Sequence, residues 1–214
     1  KKKKLLKHIY IIQENIMNPL LTIKGTLAVG LVLALAVAFG IGSGAAGLKT
    51  SMMVWVHVMA GVVWIGLLYY FNFVQVPGVG KALADTDGPG PGAINKYIAP
   101  NALLWFRMAA AVTWLTGLSA LVTIGGGMQG IVNAFMLSDG MAVIGVGAWL
   151  GTIMLFNVWV LIWPNQKKIL GMVEASPEQI ASAKKVALMA SRTNTLLSIP
   201  MLMCMTGHMH GLPF

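Results

Sequence analysis

Cysteine and acidic residues are nearly missing from this sequence, and both shortages limit what the protein can be. The one cysteine, Cys204, excludes an intramolecular disulfide and a cysteine-based zinc cluster. Without a C-x-x-C-H motif, these residues attach no c-type haem covalently. Charged residues make up 10 % of the 214 residues and hydrophobic residues 57 %. That composition is typical of an integral membrane protein and not of a soluble domain.

Basic residues outnumber acidic residues, with 15 Lys and Arg against 6 Asp and Glu. The excess does not indicate a nucleic-acid partner, because the basic residues lie at the ends of apolar segments and in particular loops. Lys1–Lys4, the 78–98 loop with Lys81 and Lys96, and residues 164–185 fall on one side of the predicted topology. The positive-inside rule then predicts a membrane protein with a cytoplasmic N-terminus and a C-terminus on the outer side of the membrane.

Apolar runs of about 20 residues, each long enough to cross roughly 30 Å of hydrocarbon, recur along the chain. They predict an all-α integral membrane fold, a bundle of five transmembrane helices preceded by a short N-terminal interfacial helix. We expect a basic interfacial segment at residues 1–19 and a single transmembrane helical domain at 20–214. The predicted spans cover about residues 23–46, 51–77, 100–124, 139–163 and 187–207.

The segments outside the spans leave alternatives open. Residues 1–19 combine Leu and Ile with Lys and suit an anionic lipid surface, with a frayed tail as the alternative. They have no small-residue cleavage site, so we expect the segment to be retained. The 78–98 loop is either a lid over a site or a connector. Ser176 with Gln179 three residues later predicts a capped helix start, and Pro200 predicts a kink in that helix.

The second predicted span carries a histidine on an apolar helix. His57, Gly61, Trp64 and Leu68 follow helical spacing and share one face. An imidazole, a gap without a side chain and a flat indole suit a planar cofactor such as haem. The alternative is a histidine hydrogen-bonded to a neighbouring helix beside an ordinary glycine packing contact.

Two further histidines, His208 and His210, lie at the far end of the last span. The predicted topology puts His57 and His208 in the outer halves of their helices. Two histidines from different helices at similar depth suit bis-histidine ligation of a b-type haem. The heptad spacing of Asn194, Met201 and His208 favours His208 over His210 as the second ligand. The alternatives are a solvated tail and a surface metal site.

The inner halves of the spans contain a second group of polar residues. Arg107 is the only formal charge well inside a span, and it is either functional or snorkels to the headgroups. Guanidinium groups make forked hydrogen bonds to planar anions, so we predict that Arg107 and Arg192 bind a substrate anion or haem propionates. The alternative is a bundle whose polar side chains satisfy one another. The predicted substrate-binding residues are Tyr69, Asn72, Arg107, Asn165, Arg192 and Asn194.

Four strings carry a resemblance to a known family. They are HVMAGVVWIGLLYYFNFVQVP (57–77), WFRMAAAVTWLTGL (105–118), GTIMLFNVWVLIWPNQKKIL (151–170) and SRTNTLLSIPMLM (191–203). Over about residues 51–205 the chain closely resembles the membrane domain of bacterial membrane-bound urate hydroxylases. The H-x6-W-x-G pattern starting at His57 is also similar to one in membrane protoporphyrinogen oxidases, where a histidine of this kind is taken as a haem ligand.

The resemblance implies oxidation of urate to 5-hydroxyisourate, with electrons passed to a c-type cytochrome domain. These residues contain no C-x-x-C-H motif, so the expected partner is a separate c-type cytochrome or a larger respiratory complex. Haem b is the expected cofactor, with His57 and His208 as iron ligands. The expected substrate is a small planar anion, and no catalytic residue is assigned.

Two other classes of function compete with the oxidoreductase. A non-catalytic accessory subunit would pack against a larger membrane complex through the small-residue faces of the first and fourth spans. A transporter for a small anion is disfavoured, because the sequence has neither an inverted repeat nor a pair of half-helices.

Overall fold

The computed structural model describes residues 18–42 and 48–212, and these residues are helical with no strand. The chain divides into two units, residues 1–49 and 50–214. The predicted interfacial segment at 1–19 lies almost wholly outside the described residues. In the first unit a short 3₁₀ turn, Pro19–Leu21, precedes helix α1, Ile23–Ile41.

The second unit contains most of the helical residues. Its helices are α2 (Leu48–Tyr70, which starts at the end of the first unit), α3 (Val76–Ala84), α4 (Ala99–Ile124), α5 (Met128–Phe135), α6 (Ala142–Phe156), α7 (Trp163–Ile169) and α8 (Pro177–His210). Three π-helical turns join or extend them, at Phe71–Gln75, Ile94–Ile98 and Asn157–Ile162.

Four helical runs in the described part of the chain are long and apolar enough to cross a membrane. They are Ile23–Ile41, Ser51–Ala84, Ile94–Ile124 and Ala142–Ile169. Each overlaps one of the first four predicted spans, which confirms the helical, membrane-compatible architecture. The predicted fifth span at 187–207 lies within α8, which does not meet the same apolarity criterion because its central residues are polar.

The helices extend beyond three of the predicted span boundaries, each beside a proline. The second span continues past Pro77 to Ala84, so much of the predicted 78–98 loop is helical. The π-helical turns end two residues before Pro77, Pro100 and Pro164. A proline lacks an N–H group and its ring clashes with the carbonyl four residues earlier. Widening the preceding turn relieves that clash, so the helix bulges instead of ending.

Helix α8 is the element around which the second unit packs. It lies against α6, α7 and the π-helical turns at 71–75 and 157–162. Its polar side chains face inward, since Asn194 and Ser198 are fully buried, whereas Leu196 and Ile199 are 66 % and 67 % exposed. The core around it is formed by Trp64, Leu68, Phe71, Leu103, Phe106, Ala110, Met154, Val158, Ile162 and Met201.

The predicted start of this helix is confirmed. The Ser176 hydroxyl accepts a hydrogen bond from the Gln179 backbone N–H, and the Ser176 N–H donates to the Gln179 side chain. The Ser176 hydroxyl also donates to the Glu178 carboxylate at 2.6 Å, which lowers the pKa of Glu178. Since a lowered folded-state pKa stabilises above the unfolded-state pKa, this contact weakens as the pH falls through the pKa of folded Glu178.

We expect Ser176→Ala to destabilise the protein by about 1 kcal/mol, because helix α8 loses its N-terminal cap. The midpoint of unfolding in mixed detergent micelles measures the change. Ser182→Ala, a serine substitution inside the same helix and away from the cap, serves as the control. Equal midpoints for the two variants would contradict the capping role.

Candidate functional site

The imidazole of His57 is anchored to helix α4. Its Nδ1 lies 2.8 Å from the carbonyl oxygen of Thr113. A carbonyl oxygen only accepts, so Nδ1 carries the proton and Nε2 carries the lone pair. The ring also lies against Gly117, where a Cβ atom would come within 2.9 Å of Cε1. Any larger residue at 117 would therefore push the ring out of this position.

This tautomer is the one that a metal-binding histidine needs. Such histidines usually donate their second ring N–H to a carbonyl or carboxylate, which fixes the ring and raises its basicity. The half-buried His57 meets that condition, and its Nε2 is available to an iron ion. The donor set therefore fits a haem ligand, although a hydrogen bond to a neighbouring helix is also what the alternative interpretation describes.

The rest of the predicted haem-binding face is mostly filled by protein. A Cβ atom on Gly61 would meet the Thr113 side chain at 3.7 Å, which is an ordinary helix-packing distance. Trp64 and Leu68 lie in the core, 2 % and 0 % exposed. The Trp64 indole N–H is nevertheless buried without a hydrogen-bond partner. A cofactor beside His57 would thus contact Gly61 and Trp64 at most along an edge.

The two C-terminal histidines differ in environment. His208 is half-buried near the end of α8, and His210 is exposed. That difference agrees with the heptad argument for the inward direction of His208. The role of His208 as second iron ligand stays a prediction.

A polar network connects the second span to α8. The Tyr69 hydroxyl lies 2.9 Å from Oγ of Ser198, and Ser198 donates its own proton to the Thr195 carbonyl at 2.7 Å. Tyr69 is therefore the donor of the first bond. Asn72 uses its amide N–H groups on the Leu68 carbonyl and on Ser191. Tyr69 and Asn72, both predicted to bind substrate, thus hold helices together.

Asn194 lies in the centre of a second network. Its Oδ1 accepts from Nδ2 of Asn157 at 2.8 Å, and its own Nδ2 donates to the Met154 carbonyl at 2.9 Å. Met154 is in the last turn of α6, just before the chain widens into the π-helical turn at 157–162. A fully buried amide with both ends engaged supports the fold, and it is not placed to contact a substrate.

The predicted cations and amides at the inner end are not brought together. Arg192 is exposed, and Asn165 donates within its own helix to the Leu161 carbonyl. Arg107 is different, because its Cζ lies 3.8 Å above the ring of Trp163 and its Nη1 is buried without a hydrogen-bond partner. Arg107 is therefore the predicted anion-binding residue that has a buried donor without a partner.

Two residues that sequence reasoning did not single out belong to this arrangement, together with Trp163, which the sequence allows as either an interface anchor or a ligand contact. Thr113 and Gly117 receive the His57 ring, and Trp163 receives Arg107. Thr113 and Gly117 form a small-x-x-x-small pair on α4, a spacing that signals close helix contact. Trp163 offered no comparable signal, because a tryptophan at the end of a span is also typical of a membrane-interface anchor.

Comparison with known proteins gives one family match. Residues 126–214 match the family described as "Urate oxidase N-terminal", which supports a relationship to a urate-oxidase family over that part of the chain. The matched range contains Asn157, Trp163, Asn194 and His208, whereas His57 and Arg107 precede it. No curated protein and no solved structure matches the chain.

Proposed function

Taking the urate-oxidase relationship as the premise, we propose that this chain is an integral membrane oxidoreductase of urate-hydroxylase type. It binds a b-type haem through His57 and passes electrons from urate to a c-type cytochrome or a respiratory complex. The single observation that carries the proposal is the His57 tautomer, in which Nδ1–H is fixed by Thr113 and Nε2 is left for iron.

The proposal includes a fifth membrane span in α8. Its exposed surface carries Leu196 and Ile199, and its buried surface carries Asn194 and Ser198. A helix in water shows the opposite distribution, with apolar residues inside and polar residues outside. The inverted distribution suits a helix surrounded partly by lipid and partly by other helices. Five spans put the N-terminus in the cytoplasm and the C-terminus in the periplasm.

The chemical balance of the proposed reaction shows that it needs an electron acceptor. Urate and water give 5-hydroxyisourate, two protons and two electrons. A bound haem supplies a one-electron acceptor between the substrate and the next carrier, with His208 as the proposed second ligand. Within the chain, Arg107 is the cation placed to hold the substrate anion or a propionate, because its Nη1 is unpartnered. Tyr69 and Asn194 maintain the helix arrangement.

Urate-dependent reduction of an added c-type cytochrome tests this function. We expect the purified protein to show b-type bands in a reduced-minus-oxidised spectrum and to reduce two cytochromes for each urate consumed. Omission of urate and addition of allantoin, a non-oxidisable relative, are the controls. If the folded protein showed no b-type bands, the proposal that it binds haem would be wrong. If the bands were present but urate did not drive reduction of the cytochrome, urate would be excluded as the substrate.

One observation favours a second candidate, an accessory subunit of a larger membrane complex. An open apolar groove runs between α2 and α4, lined by Val62, Val63, Gly66, Leu67, Ala102 and Trp105. No atom lies within 4 Å of a Cβ placed on Gly66, so the groove has room for an additional helix. Co-purification of a second membrane protein without urate oxidation would favour this role.

A further inference from the structure

Trp163 lies beside two positive charges. The guanidinium Cζ of Arg107 is 3.8 Å from the centre of its indole ring, and Nζ of Lys167 is 5.8 Å from the same point. Each distance is within the range of a cation–π contact. Arg107 comes from α4, and Lys167 lies one helical turn after Trp163 on α7. One aromatic ring thus brings together cations from two helices.

Nothing on these helices neutralises the two charges. The six acidic residues of the sequence are Glu14, Asp85, Asp87, Asp139, Glu174 and Glu178. None of them lies on α4 or α7. A ring quadrupole attracts each cation but carries no net charge, so the mutual repulsion of Arg107 and Lys167 is not removed by Trp163.

The unpartnered atom of Arg107 strengthens the argument. Nη1 is buried without an acceptor beside a gap too narrow for a water molecule, and the gap is lined by Leu103, Phe106, Val158 and Ile162. The rest of the half-buried Arg107 side chain reaches the surface. A charged N–H that has left water without gaining an acceptor is costly. An acceptor carrying negative charge at the exposed edge of the guanidinium would offset the repulsion between the two cations.

We infer that Arg107, Trp163 and Lys167 form a binding site for an oxyanion. The guanidinium supplies the directed donors, Trp163 holds the guanidinium plane, and Lys167 adds a second charge. The site suits a ligand with neighbouring acceptor oxygens, such as urate or the phosphate of a lipid headgroup. The inference rests on the proposed function only for urate as ligand, and Lys167 and Trp163 are new to the site.

Binding to the full-length protein in lipid nanodiscs tests the inference. Isothermal titration calorimetry with urate, and separately with inorganic phosphate, uses discs of phosphatidylcholine alone. A third arm adds phosphatidylglycerol to the discs and counts retained phosphatidylglycerol by native mass spectrometry. We expect saturable, Arg107-dependent binding in at least one arm, and the arm in which it occurs identifies the source of the oxyanion.

The variants separate a site from a general positive charge. Arg107→Gln should weaken binding by roughly 10- to 100-fold, the effect of losing charge-assisted hydrogen bonds. Lys167→Gln should weaken it by about 2- to 5-fold, as expected for a partly exposed charge. Lys168→Gln, its neighbour, should leave binding unchanged. Arg107→Lys keeps the positive charge but loses the forked donors of the guanidinium, so its affinity should lie between those of wild type and Arg107→Gln. This second variant keeps the test valid if the glutamine variant misfolds.

Two results would overturn the inference. One is no saturable binding in any arm, and the other is equal binding by wild type, Arg107→Gln and Lys167→Gln. These results are distinct from failure of the proposed function. Oxyanion binding without urate-dependent cytochrome reduction would keep the site and contradict the reaction. Reduction that is insensitive to Arg107→Gln would keep the reaction and exclude urate as the ligand of this site.

Discussion

We expect His57→Asn to abolish binding of the proposed b-type haem while leaving the helical bundle folded. The asparagine amide places an N–H group near the position of Nδ1, so the hydrogen bond to the Thr113 carbonyl is retained. It has no atom at the position of Nε2, so the proposed iron ligand is lost. We expect haem content to fall at least about 10-fold, and urate-dependent cytochrome reduction to fall in parallel.

The matched control is His210→Asn, since His210 is exposed at the end of α8. Haem content per protein, read from the pyridine haemochrome spectrum, should equal that of wild type in this variant. The size-exclusion profile and helical circular dichroism should be the same for both variants. Full haem content in His57→Asn would show that another residue binds the iron and would remove the observation on which the proposed function depends.

Asn194→Ala has the largest expected effect on stability. The substitution removes the acceptor for the Asn157 amide and the donor to the Met154 carbonyl, and both groups remain buried. Lipid supplies no replacement partners. We expect a loss of roughly 1–3 kcal/mol in the free energy of unfolding, measured in mixed detergent micelles.

Asn101→Ala is the control for this substitution. Asn101 is exposed and donates to the Tyr97 carbonyl within its own helical run, so the expected loss is below about 0.5 kcal/mol. A double-mutant cycle with Asn157→Ala should give a positive coupling energy, because the two amides share one hydrogen bond. If Asn194→Ala were no less stable than Asn101→Ala, the central structural role assigned to Asn194 would be wrong.

The helical architecture was predictable because it depends on local and additive properties. Apolar runs identify the membrane-compatible helices, and the Ser176–Gln179 pair identifies the start of α8 without knowledge of its neighbours. Boundaries were harder to predict. The predicted second span ends at Pro77 before a Gly/Pro/Asp-rich segment, but the chain forms a π-helical turn there and continues as a helix to Ala84. A proline in the sequence is compatible with a helix end and with a π-helical turn, so it does not distinguish the two.

The site was less predictable because it depends on which helices meet. Helical spacing placed His57 and Gly61 on one face, yet it could not show that Thr113 would be their neighbour. Asn194 was predicted as a substrate ligand because it belongs to a group of amides and hydroxyls beside two arginines, and in the structure it bonds to Asn157 and Met154. A polar residue inside a span signals a partner, but its sequence does not say whether that partner is protein or ligand.

The inverted surface of α8 has a consequence for biogenesis. A segment whose amides and hydroxyls line one side gains little free energy by leaving the translocon for lipid alone. If α8 is the proposed fifth span, its insertion would be favourable once α6 is already in the bilayer, because the contact with Asn194 covers the polar side before it meets hydrocarbon. We therefore expect the earlier helices to act as an intramolecular chaperone for the last one.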